Sequence, residues 1–326
     1  MSILERNKRL TRDNMLELHK AMYADQSSNS HKAFDTGLKR IEKVYGTPLE
    51  KIELKFIVDP NDLILKMIDK SYSENTICAT LSTICKVCHI CDLPSKYYKI
   101  VKNFMVSYKQ HIQEEREKNE KTQREKEQWI PWSKIYDKVY LRVNSYLDDK
   151  NMRRTDYMYF LQLAMFVLQT PRRIGNYLNL DVFITPVDIE KLKLIGDRNF
   201  LSIHNGEYTF VFNRYKTAKY CGSQVYKVTS PDLIKLLDRW FKDYNPNPKH
   251  LFIDRHRNEL KNSAFIFGLK EVTRTLFNKE FSVDILRHSF ISDLAESNPT
   301  VSEKIRIAAE LGQTYRPQML DMYNRK

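Results

Sequence analysis

Three short stretches of the chain concentrate side chains able to hold an anion, and a fourth carries two tyrosines. "TPRRIGNYLNL" sets adjacent arginines where an apolar helix meets the next segment, and arginine's planar fork can give a phosphate two parallel charge-assisted hydrogen bonds. "NRYKTAKYCGSQVYKV" places lysines in a hairpin between strand-like runs, and a lysine there can protonate an oxygen leaving a phosphate. "VDILRHSFISDL" puts Arg287 and His288 in the expected first turn of a helix with Asp284 as its N-cap, so that Arg287 would face the same anion as the helix dipole. The chain closes on "LGQTYRPQMLDMYNRK", where Tyr315 and Tyr323 are the candidate nucleophiles among 19 tyrosines. Each stretch also has an ordinary reading: an arginine in a structural ion pair, a solvated lysine, the aromatic edge of a last helix.

Other phosphate chemistries lack their residues. There is no Walker loop, no dinucleotide glycine pattern and no zinc-protease helix, and eight glycines in 326 residues leave little room for a loop that cradles phosphate with backbone N–H groups. Bound phosphates would have to be met by side chains.

The elements that must position these residues fall into two groups. Residues 1–112 read as helices only, over about 11–24, 31–45, 60–71, 73–91 (capped by Ser73) and 95–112. Residues 113–128, "QEEREKNEKTQREKEQ", hold no apolar side chain, so they form either an exposed helix extension or a flexible tether, and they mark a domain boundary. The apolar pattern restarts in "WIPWSKI", with Trp129 and Trp132 as core residues and Ser133 as the cap of a helix to about 148. Thr155 and Asp156 open a strongly apolar helix that stops at Pro171. Strand-like "FLSIHN", "YTFVFN" and "SQVYKVT" follow, then helices over about 231–242 (capped by Ser230), 262–278, 284–296, 301–311 and 316–324. The predicted fold is mainly α with a small antiparallel β-sheet, an all-helical N-terminal domain (1–112) preceding an α+β domain (129–326).

Composition narrows the partners. Lys and Arg exceed Asp and Glu by 13, with an excess in both long segments, which suits either a polyanionic partner or a lysine-rich protein of an A·T-rich genome. No run is long and apolar enough to span a membrane, and the charged start "MSILERNKRL" offers no signal region, so an intracellular protein is expected. Cys78, Cys85, Cys88 and Cys91, with His89, superficially match a haem or zinc pattern; their spacing fits better as the buried stripe of one amphipathic helix.

Taken in order, the motifs resemble the catalytic domain of the tyrosine recombinase (phage integrase) family, which shares fold and chemistry with type IB topoisomerases. The family's "TGxR" is similar to "TPRR", which implies Arg173 as the first catalytic arginine; its hairpin lysine falls on Lys216 of "KTAK"; its "LRHT" resembles "LRHS", giving Arg287 as the second arginine and His288 as a neighbour of usually structural role. The family's "LGH" and later tyrosine resemble "LGQ" and Tyr323, with Gln313 as a neutral phosphate donor, whereas Tyr315 lies too close to the glycine. The chain departs from the family pattern at Gln313, at Asp284, where a donor is usual, and in a long interval between Arg173 and Lys216, read as an insertion in "VDIEKLKLIGDRN". Asp284 would then cap its helix or accept the tyrosine proton.

The resemblance implies a site-specific recombinase or integrase of a mobile element or DNA virus, joined to DNA through a 3′-phosphotyrosyl intermediate without cofactor or metal. Residues 1–112 would be the family's core-binding domain, double-stranded DNA the partner, and a homo-tetramer on DNA the working assembly. The alternatives are a topoisomerase-like relaxing enzyme and a catalytically impaired DNA-binding homologue.

Overall fold

The computed structural model describes residues 11–52, 54–118, 120–178, 180–184 and 188–313. The chain divides into two compact units, Met1–Lys118 and Asn119–Lys326.

In the first unit, helices begin where short polar side chains can take the unpaired N–H groups of a first turn. Thr11 caps α1 (Arg12–Met22) and Ser27 caps α2 (Ser28–Tyr45), which Gly46 ends in the left-handed region at φ 71°. A short α3 (Lys55–Val58) leads to α4 (Pro60–Asp69), capped by Asp59 with proline in its first turn, and Ser73 caps α5 (Glu74–Ile90) as its sequence predicts. Their apolar faces share one core around Phe34, Leu38, Ile41, Leu63, Met67 and Leu81. Gly37 brings α2 against α5 so closely that a Cβ there would collide with Thr83. The cysteine stripe faces inward: Cys78, Cys85 and Cys88 are buried, none of the five cysteines is in a disulfide, and burial raises these three thiols, Cys88 to about 12. The apolar-free stretch opens as a continuation of α6 (Ser95–Glu117).

The second unit begins with α7 (Gln123–Gln128), closed by a reciprocal Thr122–Glu125 capping box. Two helices, α8 (Trp132–Tyr140) and α9 (Val143–Asp148), replace the single one expected, and Pro131 rather than Ser133 holds the N-cap position, its fixed φ pre-setting the turn. Trp132 packs on the core, edge-on to Phe290; Trp129 lies half-exposed instead, with Lys121 Nζ 4.4 Å from its ring centre. Helix α10 (Arg154–Val167) starts one residue before Thr155, its first turn closed by Arg153 Nε and Asp156 Oδ2 at 2.7 Å. It is buried on nearly every side, which is why its sequence is apolar throughout rather than striped.

After α11 (Ile174–Tyr177) come β1 (Leu180–Phe183), α12 (Ile189–Leu194), β2 (Asn199–His204), β3 (Glu207–Phe212), α13 (Ala218–Cys221) and β4 (Gln224–Lys227). The sheet order is β1-β2-β3-β4. The three anticipated strands pair antiparallel, while β1, absent from the sequence reading, joins β2 in parallel with Leu180 opposite Asn199, so the sheet is mixed. The segment read as an insertion carries α12 as the crossover between them. Asn205 and Gly206, both at positive φ (50° and 75°), make the two-residue turn between β2 and β3. Helices α14 (Pro231–Arg239, capped by Ser230), α15 (Asn262–Phe277), α16 (Val283–Glu296) and α17 (Val301–Glu310) complete the unit. Among the described residues no helix is long and apolar enough to cross a membrane.

Candidate active site

Helix α10 ends at Val167, and Pro171, whose missing N–H and fixed φ prevent the helix from resuming, stays buried with its carbonyl available to a partner. That partner is Arg287. Its side chain, 3% exposed, sends Nη1 to the carbonyl oxygens of Pro171 (2.8 Å) and Leu311 (3.5 Å). One guanidinium thus joins the double-arginine segment, α16 and the turn after α17. Thr170 adds a hydrogen bond from its hydroxyl to the Glu310 carboxylate, a second tie between the first segment and α17.

Two expectations for α16 are corrected. Its N-cap is Ser282, whose hydroxyl accepts from Ile285 N, and Asp284 is an exposed second-position residue that caps nothing. The buried phase decides this: Val283, Ile285 and Leu286 all face the core, so the helix has to start at Val283. Arg287 is then the fifth helical residue, in the second turn, and its Nη1 is directed at carbonyls rather than at an anion on the helix dipole. His288 is half-buried one turn after Asp284.

Arg173 is half-buried at the N-cap position of α11 and lines a cleft of about 300 Å³ with Lys270, Phe281 and Asp284. Its neighbour Arg172 is 2% exposed and packs inward on Phe212 and Tyr215.

Lys216 is exposed on the turn that leaves β3, ahead of the one-turn helix α13, and not at the tip of a plain hairpin. The next residue docks the turn: Thr217 Oγ1 donates to the Gly312 carbonyl at 2.7 Å. Gly312 takes φ 66°, closing α17 with a bond from Gln313 N to the Ala308 carbonyl. Gln313 follows with its side chain 8% exposed and Nε2 without a hydrogen-bond partner among the described residues. A buried donor left unpaired costs about 1–3 kcal/mol, so an incoming acceptor is favoured there.

Two buried asparagines, Asn199 and Asn213, carry no functional signal in the sequence. Asn199 Nδ2 donates to the carbonyls of Asn176 (3.1 Å) and Arg214 (3.0 Å), while its Oδ1 accepts from Asn213 N (3.0 Å) and Arg214 N (2.8 Å). Asn213 Nδ2 donates to the carbonyls of Leu192 (2.7 Å) and Ile195 (2.8 Å). Together they fix the backbone immediately ahead of Lys216. An asparagine at the head of one strand and another just past the end of the next read as turn punctuation, so nothing local marks them.

The segments holding Arg173, Lys216, Asp284, Arg287, His288 and Gln313 therefore belong to one linked region. Tyr315 and Tyr323 lie outside the described residues.

No family model and no curated protein matches the sequence. Among solved structures, the crystal structure of XerA recombinase is similar at 11% identity and a TM-score of 0.39, covering 100% of this chain and 94% of that one. The XerH site-specific recombinase bound to its difH substrate, a pre-cleavage complex, is similar at 14% identity and a TM-score of 0.47, covering 98% of this chain and 95% of that one. Identities this low carry no residue role from those proteins to this chain.

Proposed function

We propose that the chain is a tyrosine recombinase that cuts and rejoins duplex DNA through Tyr323. The observation that carries this reading is the Arg287 bridge: the "TPRR", "LRHS" and "LGQ" stretches, far apart in sequence, meet at one guanidinium, and Thr217 ties the "KTAK" turn to the same place. A chance collection of basic residues would have no reason to be stitched together through backbone carbonyls.

A phenol with a pKa near 10 is a weak nucleophile at neutral pH, so positive charge around the phosphate and a proton acceptor are required. Arg173 and Arg287 hold the nonbridging oxygens and stabilise the pentavalent transition state, with Gln313 Nε2 as a neutral third donor. Tyr323 Oη bonds to phosphorus as the bond to the 5′-oxygen breaks. The phenolic proton leaves to Asp284, a role left open to it because Ser282 caps the helix, and Lys216 protonates the departing oxygen to a 5′-hydroxyl. The 3′-phosphotyrosine retains the bond energy, and attack by another strand's 5′-hydroxyl reverses the steps. Four protomers on two duplexes make the working assembly.

A nicked duplex that loses its cleaved end traps the intermediate. Covalent protein–DNA adduct should form with the unaltered chain and with Tyr315→Phe, and be absent with Tyr323→Phe. No adduct with any duplex would support a DNA-binding homologue instead, and relaxation of supercoils by monomers on arbitrary DNA would support a topoisomerase.

A further inference from the structure

Arg172 has no part in the steps above, yet its guanidinium is buried and no carboxylate lies within 4 Å of it among the described residues. Burying a cation without a counter-ion is costly, so such a side chain persists only where other contacts hold it. Those contacts are specific. Its Cζ lies 4.2 Å from the Phe212 ring centre at the end of β3 and 5.9 Å from that of Tyr215, beside Lys216. Nη2 donates to the Gln224 side-chain carbonyl at the start of β4. Gly312 stands so close that a Cβ on it would lie 2.9 Å from the same nitrogen. Nε has no hydrogen-bond partner among the described residues.

We propose that Arg172 is a positioning residue, a flat cationic wedge that locks the turn bearing Lys216 to the turn bearing Gln313. It rests on the recombinase reading for its catalytic consequence. Its contacts reach both strands of the lysine-bearing connection and the glycine that precedes Gln313, so the proton donor and the phosphate donor keep one mutual geometry. Its buried charge, with no carboxylate in ion-pair contact among the described residues, also makes the surrounding low-dielectric region favour an anion. Lysine cannot substitute, because an ammonium neither stacks flat on Phe212 nor spans Gln224 and Gly312 at once.

Arg172→Met and the milder Arg172→Lys test this in two ways, with thermal unfolding recorded alongside. Without DNA, trypsin cleavage after Lys216 and Lys219 in the native full chain, located by mass spectrometry, should quicken in both variants; unchanged cleavage overturns the lock. With a randomised pool of nicked duplexes, adduct formation by Arg172→Met should fall by about 100-fold, the scale of a lost general acid, with DNA binding unchanged. Replacing the 5′-bridging oxygen by sulfur, a leaving group that needs no proton, should restore most of that loss, as it should for Lys216→Ala. Equal loss on both substrates overturns the proposal. If the unaltered chain forms no adduct on the pool, the recombinase reading falls, and the proteolysis alone decides whether Arg172 holds the turn.

Discussion

Arg287 commits Nη1 to two carbonyls, so its removal should be felt by the fold as well as by the phosphate. Arg287→Ala should abolish adduct formation and lower stability by roughly 2 kcal/mol, the scale of lost charge-assisted hydrogen bonds to buried carbonyls. Lys216 is exposed and gives the opposite result: Lys216→Ala should leave the unfolding midpoint in place while slowing cleavage by about 100-fold or more. Stopped-quench adduct assays beside denaturant titrations separate the two. A third residue acts through pH. His19 is fully buried, stacked on Phe34 at 4.1 Å, with Nε2 3.2 Å from Lys86 Nζ and Nδ1 3.0 Å from His31 Nδ1. Burial first, then the Lys86 charge and His31, lower its pKa from 6.5 to about 4. The unfolded chain therefore binds the extra proton first, so stability is complete above about pH 6.5 and is lost as pH falls toward 4. Denaturant midpoints across that range should drop for the native chain and drop less for His19→Phe; parallel curves would contradict this.

At the scale of elements, the site depends on two small devices. Asn199 satisfies three backbone groups at the exit from β3 and one in α11, so Asn199→Leu should cost about 2–4 kcal/mol and slow cleavage by displacing Lys216. Calorimetry and adduct rates measure both effects. At Gly312 a methyl would be strained by φ 66° and would press on Arg172 Nη2 at 2.9 Å. The five helices expected in the first unit were legible to within a few residues, except where α6 runs on to Glu117, because their signals are local: a cap, an apolar stripe, a glycine stop; the four-residue α3 has no such signal and was not anticipated. Strand β1 was not, since four residues acquire strand character only by pairing with β2 some twenty positions later, in a parallel register no local pattern encodes. The motif resemblance chose Arg173 over Arg172, but no local pattern showed that Arg172 turns inward, and none separated Ser282 from Asp284 as the cap. The two arginines carry the same guanidinium, and serine and aspartate can both cap a helix, so the burial phase of the neighbouring core decides between them.

For the whole molecule, the excess of 13 positive charges should make DNA affinity fall steeply with salt whatever the sequence of the duplex. A plot of log affinity against log salt should have a slope near −0.9 for each phosphate neutralised, so a footprint of about six contacts loses about 10³-fold between 50 and 200 mM salt. Filter binding checks it, and a flat plot would speak against a DNA partner. The Arg287 bridge carries a further consequence for descent. On the proposed recombinase reading, a lineage that abandoned strand cutting but still needed this fold would be released at exposed Lys216 and at Tyr323, and would still be held to Arg287 and Gly312 by the cost of unfolding. Decay of activity among relatives should therefore be read at the residues that support nothing else, and an intact second arginine should not be taken as a sign of a living enzyme.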